Sequence, residues 1–459
     1  MKSVRSRRDD SLKRISKLEV MKLEEEKVFK DAVHGYIHVN DQLIWDLIQS
    51  SEFQRLRRIK QLGGTYMAFH TGEHSRFSHS LGVYAIAYKM INELSRKEKI
   101  FTEEERLLIL ASALLHDLGH GPFSHSFESI IGLNHEVFTA RILMENTKVH
   151  QILEQYQIGF SKKVRDVIMK TYPNPVVISI ISSQLDADRL DYLLRDAYFT
   201  GTPYGEIDVK RILRTMRVVD RKVVYKESGM HAIEDYLLSR YQMYWQVYLH
   251  ASARSFELIV QRMLQRACEL IRSGYSFNMD LDLLGQLLTE DEIPILIYLK
   301  FDDSTITYYA LQFLECDDFI LKDLADRFLN RRLLKEIYYT PSKKTNEILQ
   351  QMRYYLTDMG IDPKYYLLTD YQMKVPYDYY GDRKKLFLER IELLMRDGSI
   401  REISEVSEVI KGIVSGKPKK EYKIYYPFDL LDGFPEGKEK QEVLSLLEEI
   451  KFSSIELRK

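Results

Sequence analysis

The chain has 459 residues, of which 45% are hydrophobic and 29% charged, so it exceeds the size of a single core and two or three lobes are expected. Its 67 basic and 68 acidic side chains nearly cancel, which argues against a general polyanion binder and leaves local patches as the basis of any such role. Cys268 and Cys316 lie far apart and in no CxxC arrangement, against a disulfide framework or a thiolate zinc site and in keeping with a cytoplasmic protein.

Residues 1–26 mix charges throughout and lack the apolar stretch of a signal peptide, so they read as a polar extension. Arg5, Arg7 and Arg8 make its start basic, but such tails are usually solvated, and nucleic-acid binding is expected to be weak or absent. No later run approaches a membrane-spanning length, and no membrane partner is expected.

From about residue 41 to about 272 the apolar residues recur mostly at helical spacing, with Pro and Gly between the segments. Thr102 and Glu105 form a capping box that opens the helix TEEERLLILASALLHD, and Gly119 stands where a left-handed residue would end it. VVISIISSQLDADRLDYLLRDAY predicts a second helix starting at Val176, after Pro175. RVVDRKVVYKESG, around Val218 to Gly229, reads as a short hairpin. HAIEDYLLSRYQMYWQVYLHASARSFELIVQRMLQRACELI reads as one very long helix. Beyond Tyr275 tyrosines, lysines and turn residues mix, which predicts a smaller lobe of mixed α/β structure. The fold class is therefore mainly α.

The chemistry concentrates in LLHDLGHGPFSHSFE, which places His116, Asp117, His120, His125 and Glu128 at the end of a buried helix. His116 and Asp117 offer an imidazole nitrogen and a carboxylate, a mixed set suited to zinc, manganese or iron rather than calcium. Two ligands do not make a stable site, so the rest should come from other helices. His79, in RFSHSLGVYAIAYKM, is one candidate, and Asp186, Asp188 and Asp191, in QLDADRLDYLL, are three more.

A His, then His-Asp, then Asp, each on a separate helix, matches the motif order of the HD phosphohydrolases. EKVFKDAVHGYIHV, FQRLRRIKQLGG, HSRFSHSLGVY, HDLGHGPFSHSFE, NHE, DADRLDYLLRD and the helix from Arg240 extend the match from about Lys27 to about Cys268. Over that span the chain resembles the HD-domain deoxynucleoside triphosphate (dNTP) triphosphohydrolase family, without a SAM domain before Lys27. The resemblance implies a helical core over 27–275 and a regulatory or oligomerisation lobe over 276–459. It makes His79, His116, Asp117 and Asp188 the metal ligands. Spacing agrees in part, because Gln184, Asp188, Tyr192 and Asp196 recur four apart on one helix face. Asp186 and Asp191 then read as surface or helix-pairing carboxylates.

The implied reaction is hydrolysis of a dNTP at the α-phosphorus to the deoxynucleoside and tripolyphosphate. His125 is the implied general acid, with Glu128 one turn on to orient its ring. His120, His135 and Glu136 complete a polar shell around the phosphates and a second ion, Mg²⁺. The family pattern puts Gln61 and Asp196 on the sugar 3′-hydroxyl and Leu62 and Tyr248 against the 2′ position. Arg76, Arg189 and Arg240 would neutralise the triphosphate, with Tyr192 holding it and Tyr244 on the same helix face as Arg240 and Tyr248.

Some family members are tetramers activated by nucleotides bound between subunits, and Lys27, Gln54, Arg57, Arg331 and Lys335 match positions used there. Such an activator, dNTP or NTP, and a homotetramer are therefore expected. Gln49 stands where the pattern has an aspartate reading guanine, and Lys30 where it has an asparagine. An amide offers one acceptor and one donor instead of two acceptors, which leaves the activating base open. The alternatives are another HD phosphohydrolase, acting on a monophosphate, a cyclic dinucleotide or an alarmone, and a non-catalytic nucleotide or nucleic-acid sensor.

Overall fold

The computed structural model describes residues 21–96, 99–290, 292–374, 377, 390–415 and 419–456, with the side chains of His125, Lys374, Lys419 and 452–456 also outside the description. Most of the expected polar extension over 1–26 therefore lies outside the described residues. Helices dominate from Gln42 to Arg272, and short sheets join them beyond. The fold is mainly α.

Helix Glu103–Leu115 is the central element. Thr102 accepts from the Glu105 amide and Glu105 returns the bond, completing the capping box the sequence predicts. Every residue from Leu107 to Leu115 is buried, so this helix is apolar on all sides, as only a core helix can be. Helix Arg76–Leu94 packs along it, and helix Ala187–Thr200 packs along Arg76–Leu94. Three elements distant in sequence thus meet at one end of the core.

Three sequence expectations are corrected. Gly119 does not end its helix in a left-handed conformation: the helix stops at Leu115, and His116 keeps right-handed geometry. A Cβ on Gly119 would stand 2.2 Å from the His135 carbonyl oxygen and 2.3 Å from the Thr139 amide nitrogen. Its glycine serves close packing. The expected helix from Val176 is two, Pro175–Ile181 and Ala187–Thr200. Asp186 interrupts it, accepting from Ser183 N at 2.8 Å and Arg189 N at 2.7 Å as the N-cap of the second helix. Gln184 therefore precedes the helix and does not continue the Asp188 face.

The long helix also divides, into Met230–Met243, a π-helical turn Tyr244–Tyr248, and Ala251–Arg272. Such wide turns are frequent at functional sites, and the His250 ring caps the next helix at Ser252 N.

Strands β1 (Lys22–Asp31) and β2 (Gly35–Asp41) form an antiparallel hairpin. Strands β3 (Met216–Val219) and β4 (Lys222–Lys226) form the hairpin expected around Val218. Strand β7 (Glu392–Leu394) returns to pair parallel with β4, and β8 (Ile400–Glu402) completes that sheet. Strands β5 (Lys335–Tyr338), β9 (Lys419–Tyr426) and β6 (Leu368–Lys374) make a separate antiparallel sheet, with helices Ala251–Arg272 and Lys438–Glu456 against β5. Among the described residues no helix is long and apolar enough to cross a membrane.

Candidate active site

His79 stands on the first turn of helix Arg76–Leu94, His116 and Asp117 directly follow the central helix, and Asp188 is on the first turn of Ala187–Thr200. Their polar atoms converge. His79 Nε2 is 3.1 Å from Asp188 Oδ1 and 3.7 Å from Asp117 Oδ2. His116 Nε2 is 3.3 Å from Asp117 Oδ1 and 3.6 Å from Asp188 Oδ1. Both imidazole nitrogens are buried, yet neither is engaged in a hydrogen bond. Leaving such an atom unmatched is costly, and two of them facing two carboxylates make the donor set of a divalent transition metal. The residues fit that group.

The opposed charges also fix one another. Burial disfavours the imidazolium of His79, but the carboxylates of Asp188 and Asp191 push its pKa up to about 10. Burial likewise opposes ionisation of Asp188, and His116 and His79 overcome it and hold the carboxyl below its usual range. Asp117 is held well below that range against burial by the His116 and His120 imidazoles and the Arg76 guanidinium. For His120, burial and the Arg76 charge press the pKa well down.

The other nitrogens of the two imidazoles are fixed. His116 Nδ1 donates to the Ala113 carbonyl at 2.9 Å, and His79 Nδ1 donates to Asp191 Oδ2 at 2.8 Å, so each Nε2 is aimed at the convergence point. Asp191 is fully buried, which rules out the surface role, while its bond to His79 joins helix Ala187–Thr200 to helix Arg76–Leu94 as a helix-pairing carboxylate would. Arg195 Nε donates to it at 2.9 Å and His34 Nε2 lies 2.5 Å from its other oxygen. Arg195 also reaches Asp31 at 2.9 Å. Asp186 is buried too, as a helix cap. A Cβ on Gly82 would fall 1.8 Å from Asp191 Oδ1, so only glycine lets this network lie against helix Arg76–Leu94.

Above the convergence point opens a cleft of about 410 Å³. Gln61, Leu62, Arg76, His120, His135, Tyr192, Asp196, Tyr244 and Tyr248 line it, as does Ser124. Asp196 accepts from the Tyr248 hydroxyl at 2.7 Å and meets His74 Nε2 at 2.8 Å. Gln61 Oε1 is buried without a partner. Arg76 donates to Asp117 and, from Nη2 at 2.7 Å, to Ser124 Oγ. The His120 and His135 rings stack at 3.8 Å, and His135 Nδ1 donates to Glu128 at 2.8 Å.

Arg189, Arg240 and Glu136 are not among the lining residues. Arg189 is tied to Asp186 and the Ser183 carbonyl, and Arg240 donates to Gln184 at 2.9 Å. The side chain of His125 lies outside the described residues. Arg195, His34 and Asp31, around Asp191, and His74, beside Asp196, escaped the sequence reading. The one local signal was the i, i+4 spacing of Asp191 and Arg195.

Of the five residues matched to an activator site, Gln54 and Arg57 touch each other. Arg57 donates to Gln54 at 2.8 Å and lies over the Phe77 ring. Lys27 is on β1 beside Glu25, Lys335 on β5, and Arg331 donates to the Met67 carbonyl at 2.8 Å. Gln49 is exposed, and Lys30 lies over the Tyr36 ring.

Comparison with known proteins places this geometry. Residues 76–195 match the HD domain, and residues 207–359 match the HD associated region. The uncharacterized protein YwfO of Bacillus subtilis is 48% identical over 93% of this chain and 98% of its own. The deoxynucleoside triphosphate triphosphohydrolase SAMHD1 homolog of Dictyostelium discoideum is 30% identical over 54% of this chain, which spans 50% of that relative's length. The crystal structure of a phosphohydrolase from Bacteroides thetaiotaomicron superposes with a TM-score of 0.78 at 29% identity, covering 88% of this chain and 100% of that one.

Proposed function

The chain belongs to the HD-domain family of phosphohydrolases, and within it we propose that this protein is a dNTP triphosphohydrolase, releasing deoxynucleoside and tripolyphosphate. One observation carries the reading: Asp117 and Asp188 line a cleft that Gln61, Asp196 and Tyr248 also line, and the two imidazole nitrogens that face these carboxylates make no hydrogen bond. His79, His116, Asp117 and Asp188 would hold a divalent metal, iron, manganese or zinc. Such an ion supplies Lewis acidity, polarising a phosphoryl oxygen and lowering the pKa of water from about 15.7 to about 7.

The remaining work belongs to the chain. Arg76 and Ser124 sit beside Asp117, where the α-phosphate would lie, and His120, His135 and Glu128 offer donors and acceptors to the next phosphates and their Mg²⁺. A 5′-alkoxide leaves slowly unless protonated, and His125 is assigned that proton transfer. Glu136, next to His135 but outside the cleft lining, would add only its charge. Gln61 and Asp196 take the 3′-hydroxyl, with Leu62 and Tyr248 closing the 2′ side. Tyr192 and Tyr244 flank the nucleotide, and Arg189 and Arg240 supply positive charge from behind Asp186 and Gln184. An activating nucleotide, bound between subunits of a cytoplasmic tetramer by Lys27, Gln54, Arg57, Arg331 and Lys335, completes the reading.

Purified protein incubated with each dNTP and with Mn²⁺, Fe²⁺, Zn²⁺ or Mg²⁺, followed by ion-exchange separation, tests it. Tripolyphosphate and nucleoside in equal amounts are expected. Release of pyrophosphate or orthophosphate instead would refute the assignment.

A further inference from the structure

Two loops bracket the cleft. Residues 60–63 carry Gln61 and Leu62, and residues 122–124 lead into helix His125–Ile131. Both are tied to one carboxylate outside either loop and outside the HD match. Asp303, the first residue of helix Asp303–Phe313, accepts the Lys60 amide through Oδ2 at 2.9 Å and the Phe123 amide through Oδ1 at 2.9 Å. The loops also touch, since a Cβ on Gly63 would stand 3.4 Å from the Phe123 carbonyl oxygen.

The second loop needs restraint. Phe123 and Ser124 both have φ of 51°, a positive value that non-glycine residues keep only when their surroundings impose it. Asp303 holds the Phe123 amide, Arg76 holds Ser124 Oγ, and the Phe123 ring lies edge-on to Phe256 and Phe328 at 5.8 and 5.3 Å. Asp303 is 6% exposed, and burial pushes its pKa up to about 6 against the pull of the two amides. A carboxylate retained at that cost in a helix first turn, with both oxygens spent on backbone of two other segments, acts as a spacer between them.

We propose that Asp303 is a positioning residue that sets the gap between the two cleft walls and thereby the discrimination between deoxyribose and ribose. The proposal rests on the triphosphohydrolase reading, in which Leu62 crowds the 2′ position and His125 protonates the leaving group. An asparagine has one acceptor oxygen, and its amino group would meet an N–H head-on. One loop would lose its anchor while charge-independent packing stays.

Wild-type protein and Asp303→Asn are compared with each dNTP and the matching NTP under Mn²⁺, with manganese affinity measured by calorimetry. The variant is expected to bind Mn²⁺ like wild type, to lose tenfold or more in kcat on dNTPs, and to show a dNTP:NTP ratio of kcat/KM at least tenfold lower. General destabilisation would lower both substrates together and leave the ratio unmoved. A ratio within twofold of wild type overturns the proposal. Should Asp303→Asn not fold, Asp303→Glu, which keeps both acceptors but lengthens the reach, is read by the same two outcomes. Wild-type protein that makes no tripolyphosphate overturns the activity reading and this proposal with it, whereas an active wild type with an unmoved ratio overturns Asp303 alone.

Discussion

His79 Nδ1 donates to Asp191 Oδ2 at 2.8 Å, and that bond fixes which nitrogen of His79 faces Asp117 and Asp188. Partners of this kind orient a metal-binding imidazole and raise its basicity, and their loss costs about 10–100-fold in metal affinity. Asp191→Asn is expected to weaken Mn²⁺ binding by that factor in a calorimetric titration, with the fold intact by circular dichroism. Wild-type affinity would show that His79 is held by packing alone.

His125 is assigned the proton that the leaving alkoxide takes up. General acid catalysis contributes about 10²–10⁴-fold, so His125→Ala should lose that much kcat while metal content, measured by plasma emission, stays at the wild-type level. A variant with normal turnover removes His125 from the mechanism.

Asp41 gives the fold an acid-sensitive joint. Burial opposes its ionisation, but Arg106, donating at 2.7 Å, and Lys22 hold its carboxyl below the ordinary value of 3.8. Because the folded-state pKa lies below the unfolded one, the stability Asp41 contributes is full above about 3.8 and fades as the pH falls through the lowered value. Urea unfolding at pH 7 and pH 3 should show Asp41→Asn much less stable than wild type at the higher pH and closer to it at the lower. An equal gap at both would contradict the assignment.

Legibility in the sequence followed locality. The capping box at Thr102 and the β3–β4 hairpin depend on neighbours a few residues apart, and both form as the sequence predicts. His79, His116, Asp117 and Asp188 could be named because motif order survives the sequence distance between them, and the structure brings them together. Asp191 pairs two helices, one of the two roles its sequence allowed, but its burial was hidden because its partners include His34, 157 residues away. The breaks at Asp186 and at the turn Tyr244–Tyr248 were hidden by helical periodicity that runs on across them. An aspartate that caps a helix looks, in sequence, like any polar residue within one. Gly119 was assigned the turn role glycine usually has, when the backbone of helix His135–Met144 sets its size limit. Nothing near Asp303 in sequence marks it as a tie between two distant loops.

The central claim is that His79, His116, Asp117 and Asp188 share one metal ion. Anomalous diffraction from crystals grown with Mn²⁺, recorded at an energy where manganese scatters anomalously, measures this directly. A peak is expected within about 2.0–2.3 Å of both Nε2 atoms and of an oxygen from each aspartate. Well-ordered side chains with no peak between them, and manganese bound elsewhere, would contradict it.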